Sequence, residues 1–152
     1  MKGLKTENES AEYKYQEERN TLESLKKVLF MLMGYAGQKA MAKEINLKEA
    51  QEPVMNLADI ITDIFTAESL LLRVEKEGAN PVSEAILKSF FHDASFRVYK
   101  NAMDFTGSIV DTNMFGALIS SIKKLTKFPM QNTMALRRTI ADKIIKDDAY
   151  SL

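Results

Sequence analysis

Three acidic side chains, Asp59, Asp63 and Glu68, recur along one helical segment of the chain, and the next segment carries its one histidine, His92, followed by Asp93 and Arg97. A carboxylate beside an imidazole could move a proton near neutral pH. Inward carboxylates on bundle helices could instead hold two metal ions, a site that wants two Glu-x-x-His pairs and two further glutamates. Here Ser89 stands where the glutamate before His92 would be, and a single histidine cannot serve two pairs. The metal reading is therefore set aside. With no cysteine there are no thiolate ligands and no disulfides. Ser120 and Ser121 have no histidine on a nearby element to activate them. No Gly-x-Gly-x-x-Gly and no P-loop lysine motif is present to cradle phosphate. The expectation is that the chain holds no catalytic, cofactor-binding or metal-binding residue of its own.

The elements that position these residues are helical throughout. Apolar residues at helical spacing run from Ser10 to about Lys43 through Leu22, Leu25, Leu29, Leu32, Met33, Ala36, Ala40 and Met41. After "EINL" a second helix spans Lys48 to Glu77, with Leu57, Ile60, Ile61, Ile64, Leu71 and Leu72 as its apolar stripe. "GANP" then stops it: Gly78 suits a helix end, Asn80 a cap and Pro81 the first turn of the next helix. That third helix runs to about Phe105, and "TGSIVDTN" is a loop. Asp111 or Thr112 caps a fourth helix to about Lys127, and Thr133 caps a fifth over Met134 to Lys146. No stretch alternates with period two. The fold expected is all-α: an antiparallel up-and-down bundle of four main helices plus a shorter C-terminal helix. Residues 1–9 read as a flexible arm or cloning remnant, and 10–152 as a single helical domain.

If "GANP" closes an antiparallel hairpin, residues equally far from its centre come level. Asp63 then meets Arg97, and Glu68 meets His92. Asp93 and Arg97, four apart, add a pair within one helix. Carboxylates on a core face must be paired or protonated, because burying a lone charge costs several kcal/mol. A polar lock on helix register is the favoured reading of Asp63, Arg97, Glu68, His92 and Asp93. A catalytic acid–base pair of Glu68 and His92 is the sharper, weaker one.

The remaining signal is apolar. Val28 to Ala36 has no strongly polar side chain over about two and a half turns. It is too short to cross a bilayer, which takes about 20 residues. A helix greasy all round is covered on several sides, and a lone bundle covers one stripe per helix. Leu29, Phe30, Met31, Met33, Gly34, Tyr35 and Gly37 are thus the candidates for contact with another domain or subunit. Gly34, Gly37 and Ala40 lie three apart and would admit a second helix closely. Lysine plus arginine equals aspartate plus glutamate, 21 each, which removes the basic surface that nucleic acid requires. The fifth helix is basic and amphipathic, with Leu136, Ile140, Ile144 and Ile145 on one face. Docking on its own protein is favoured over contact with an anionic membrane surface. No secretory leader is visible in the polar first residues, so a reducing, cytoplasmic setting is expected.

"MNLADIITDIFTAESLLLRVEKEG", Met55 to Gly78, resembles the C-terminal region of flavin-dependent acyl-CoA dehydrogenases, the very-long-chain type and its bacterial counterparts. "HDASFRVYKNA" resembles the helix that follows, and "KVLFMLMGYAGQKAM" and "RRTIADKII" fit the same pattern. The similarity runs from about Thr21 to Leu152. It implies a parent enzyme that oxidises fatty acyl-CoA with FAD and a core glutamate. This chain shows neither the β-barrel middle domain nor the flavin-holding helices, so no catalytic residue carries over, Glu68 included. What the resemblance implies is a non-catalytic helical domain, a fragment or separately encoded, that packs on the catalytic core or on a sister copy as a homodimer. The alternative is a free-standing helical interaction or dimerisation module unrelated to flavoenzymes.

Overall fold

A computed structural model describes residues 14–78 and 80–147. The residues read as an N-terminal arm, 1–9, lie outside them. Five α-helices follow in order: α1 Gln16–Met41, α2 Gln51–Glu77, α3 Pro81–Ile109, α4 Phe115–Leu125 and α5 Thr133–Asp147, with a 3-10 turn at Thr112–Met114 before α4. There is no strand among the described residues. The chain is all-α, and its helices pack as a bundle.

Several ends follow from local chemistry. The Asn80 side chain accepts from the Val82 and Ser83 amides at 2.9 and 3.3 Å, with Pro81 as first helical residue. This occupies orphan donors of the first turn of α3. Gly78 sits at φ 84°, a conformation that suits a residue without Cβ. Two residues past the end of α1, Lys43 sits at φ 58°, and the Glu44 amide returns to the Lys39 carbonyl.

Several boundaries differ from the sequence reading, among them the start of α2 at Gln51 instead of Lys48, residues 47–49 forming a turn. α3 continues through Gly107 and Ser108 to Ile109, because Phe105 and Thr106 are still buried and the packing there outweighs the propensity of "TGS". Asp111 makes no side-chain cap, since its carboxylate is engaged by α1. The cap of α5 is Asn132, which accepts the Ala135 amide at 3.1 Å, one residue before the expected Thr133.

α3 is the central helix, packed against the four others. Small residues let neighbours approach it: Ala85, Ser89, Ala94, Ser95 and Ala102 are all buried. Leu25, Leu32, Ile60, Leu87, Phe91, Phe105 and Ile122 fill the space between. α2 packs chiefly on α3 and α1, whereas α4 lies against α1 and α3, and α5 against α3. The outer side of the α1–α2 pair is therefore left without a covering helix.

Candidate functional site

The polar residues singled out from sequence form two unlike groups. Arg97 Nη2 donates to Asp63 Oδ1 at 2.7 Å, and its Nε to both carboxylate oxygens at 3.0 and 3.2 Å. The guanidinium also lies 5.3 Å from the centre of the Phe90 ring. Asp63 is buried while Arg97 lies at the surface, so the arginine covers the carboxylate from outside.

Glu68 and His92 do not pair. Lys26 of α1 donates to Glu68 at 2.8 Å, and His92 Nδ1 lies 3.0 Å from Asp93 Oδ1. Level is not the same as facing: five residues separate Asp63 from Glu68, which turns the side chain about 140° around α2. With Asp63 toward α3, Glu68 must point toward α1. Lys26 is accordingly held above its ordinary pKa, chiefly by the Glu68 hydrogen bond.

The expected Asp93–Arg97 pair is also replaced. Arg137 Nη2 of α5 donates to both Asp93 oxygens at 3.1 and 3.0 Å, while Asp63 occupies Arg97. Burial raises the Asp93 pKa, but the bonds from His92 and Arg137 outweigh it, and the group ends below the usual value. These contacts join helices to one another. Among the described residues no group of three or more His, Cys, Asp and Glu could hold a metal ion.

The apolar segment of α1 divides. Val28, Leu29, Leu32 and Ala36 are buried in the monomer core, so Leu29 is withdrawn from the contact candidates. Met31 and Tyr35 are half-buried. Tyr35 donates its hydroxyl to Asp111 Oδ2 at 3.0 Å and accepts the Asp111 amide at 2.9 Å. Beside it Lys39 donates to Asp111 at 2.8 Å, and together these tie the end of α1 to the α3–α4 junction. Phe30, 67% exposed, and Met33 stay at the surface with Gly34. A methyl group added at Gly34 or Gly37 would meet nothing within 4 Å. Phe30, Gly34, Gly37 and Met41, spaced four, three and four apart, share one face.

α2 carries a matching stripe that sequence reasoning placed in the core. Val54, Ile61, Phe65 and Leu72 recur at seven, four and seven residues, and all four are exposed, Phe65 by 70%. Ile61 and Leu72 are thus corrected from core to surface. The α2 pattern has two apolar stripes, and only the one through Ile60, Ile64, Ala67, Leu71 and Val74 faces inward. Two ion pairs, Arg19–Glu75 and Lys26–Glu68, set α1 and α2 antiparallel in one register. By that register Phe30 comes level with Ile64 and Phe65, and Met33 with Ile61. The two exposed stripes therefore flank one seam, about 27 Å long on the α2 side. Aligned knobs at helical spacing on two neighbouring helices are what a further helix packs into.

The family model of the acyl-CoA dehydrogenase C-terminal domain matches residues 24–124. The chain belongs to this family. A curated relative, described as a probable acyl-CoA dehydrogenase of Bacillus subtilis (strain 168), is 25% identical over 143 residues. That alignment covers 90% of this chain and 24% of the relative, so the chain spans about a quarter of the length of the protein it resembles. Within the acyl-CoA dehydrogenase C-terminal domain, the matched residues include α2, α3, most of α1 and nearly all of α4. Both exposed stripes fall inside the match, and α5 falls outside it. No described helix of the domain is long and apolar enough to cross a membrane.

Proposed function

We propose that this chain is the non-catalytic helical domain of a flavin-dependent acyl-CoA dehydrogenase acting in fatty acid β-oxidation, and that it works by docking the α1–α2 seam on the catalytic region of that enzyme. The observation that carries the docking is the pair of exposed apolar stripes, Phe30–Met41 and Val54–Leu72, left uncovered by α3, α4 and α5. Burying a large apolar side chain contributes about 1.5–3 kcal/mol, and several buried together offset an association cost of roughly 4–15 kcal/mol. A cytoplasmic compartment suits a chain without cysteine.

FAD belongs, in this reading, to the catalytic region. The described residues do not offer it a Rossmann-type cradle. Such a cradle is a glycine-rich turn at a helix N-terminus. Gly34, Gly37, Gly107 and Gly116 lie within helices instead, and Gly78 in the short turn between α2 and α3.

The experiment is co-expression of the chain with the acyl-CoA dehydrogenase catalytic region encoded beside it, or reading on into it. Co-purification as a yellow, flavin-containing protein that oxidises acyl-CoA supports the proposal. A chain that self-associates tightly and ignores that region points to the sister-copy reading, which the open Gly34–Gly37 face favours. A neighbourhood without any such region removes the enzymatic part of the proposal.

A further inference from the structure

Away from the α1–α2 seam, α3 and the end of α4 border a cavity of about 270 Å³. Its walls are aromatic. Phe128 is fixed against Phe91 of the core, ring centres 6.1 Å apart. Phe96 rests on His92 at 5.0 Å yet is 63% exposed at the mouth. Tyr99 stands between, and its hydroxyl has no hydrogen-bond partner among the described residues. The hydroxyls of Ser95 and Thr126 donate to their own helices, to Phe91 and Ile122 carbonyls at 2.8 Å each, so they offer no spare proton inward. Lys123, in the last turn of α4, and Lys127, just past its end, line the same cavity. Neither has an acidic partner among the described residues, although nine other lysines and arginines there do.

Lysines near a helix C-terminus are favoured by its dipole, which accounts for their presence. It does not account for an aromatic-walled cavity held open between them. Like charges lining one cavity repel, and a bound anion would relieve that. We propose that this cavity binds a small amphipathic anion. Its apolar body lies among Phe96, Tyr99 and Phe128, and its carboxylate or sulfonate head sits between Lys123 and Lys127, within reach of the Tyr99 hydroxyl. The volume lies just under the usual range of small-molecule sites, about 300–1,000 Å³, so the ligand is compact.

The site lies outside the α1–α2 seam, and the inference stands apart from the docking proposal. The test is calorimetric titration of the whole chain with two probes, decanoate for an aliphatic body and naphthalene sulfonate for an aromatic one. Amide chemical shifts locate the binding. Saturable binding of at least one probe is expected, with shifts at residues 95–99 and 123–128. It should weaken about ten-fold or more, about 1.4 kcal/mol, in the Lys123→Ala/Lys127→Ala double variant. Decanol, uncharged and of the same length, should bind more weakly than decanoate. All the altered side chains are exposed, so thermal unfolding should be unchanged, and Phe30→Ser/Phe65→Ser should leave binding intact. No saturable binding of either probe, shifts confined to other surfaces, or full affinity in the lysine double variant would each overturn the assignment.

Discussion

Arg97 reaches Asp63 across the α2–α3 hairpin through two nitrogens, the shortest contact being 2.7 Å. Asp63 is 8% exposed, so this arginine supplies most of what water would otherwise supply. Replacing Arg97 with Met should cost about 2–3 kcal/mol, because a buried charge loses its donor. Replacing both partners, Asp63→Leu with Arg97→Met, should recover most of that loss. Urea unfolding of the four proteins measures the coupling. Purely additive effects would show that the pair does not lock the hairpin.

The Lys26–Glu68 bridge sits nearer to solvent and should matter less. Glu68→Gln should cost under about 1 kcal/mol, and the difference should shrink in high salt. A loss as large as that of Arg97→Met would mean that Glu68 carries more than a surface ion pair.

Ser89 is buried on α3 with a hydroxyl that finds no partner among the described residues. Removing an unsatisfied buried hydroxyl recovers desolvation free energy. Ser89→Ala should therefore stabilise by about 1 kcal/mol, a rise in Tm of roughly 2–4 °C for a chain of this size. A fall in Tm would reveal a bond made by that hydroxyl.

Glu18 is 3% exposed, and burial raises its pKa above the usual carboxylate value. The folded state then binds its proton more tightly than the unfolded chain does. Its contribution to stability is full below the ordinary carboxylate pKa and is lost as pH rises through the folded pKa. Glu84, lowered chiefly by its bond from Lys14, contributes in the opposite sense and loses its share as pH falls. Glu18→Gln should become progressively more stable than the native chain as pH rises through that upper window, with a constant difference above it. Chemical denaturation at a series of pH values gives the difference. A constant offset at all pH values would rule out titration of Glu18.

Much of this fold could be read residue by residue. Asn80 and Pro81 declare a helix start because a side-chain acceptor and a fixed φ are needed there, and little else competes for them. The position of Asp63 opposite Arg97 follows from counting outward from the turn. The same count misplaced Glu68, since counting gives height along an axis and leaves the angle open. Asp93 could not be assigned to Arg137 because no local rule says where α5 folds back. The largest gap concerned Ile61 and Leu72. Their spacing suits a core, and α2 has two stripes of equal grease. Only tertiary packing decides which one turns inward, and nothing local marks Phe65, on the outer one, as exposed.

Sedimentation velocity is the most direct test of the docking seam, run on the chain mixed with the separately purified acyl-CoA dehydrogenase catalytic region. The native chain should co-sediment with that region. Phe30→Ser/Phe65→Ser should sediment alone with its thermal unfolding unchanged, because both side chains lie outside the core. A native chain that stays separate, or a double variant that binds as well as the native chain, would contradict the account.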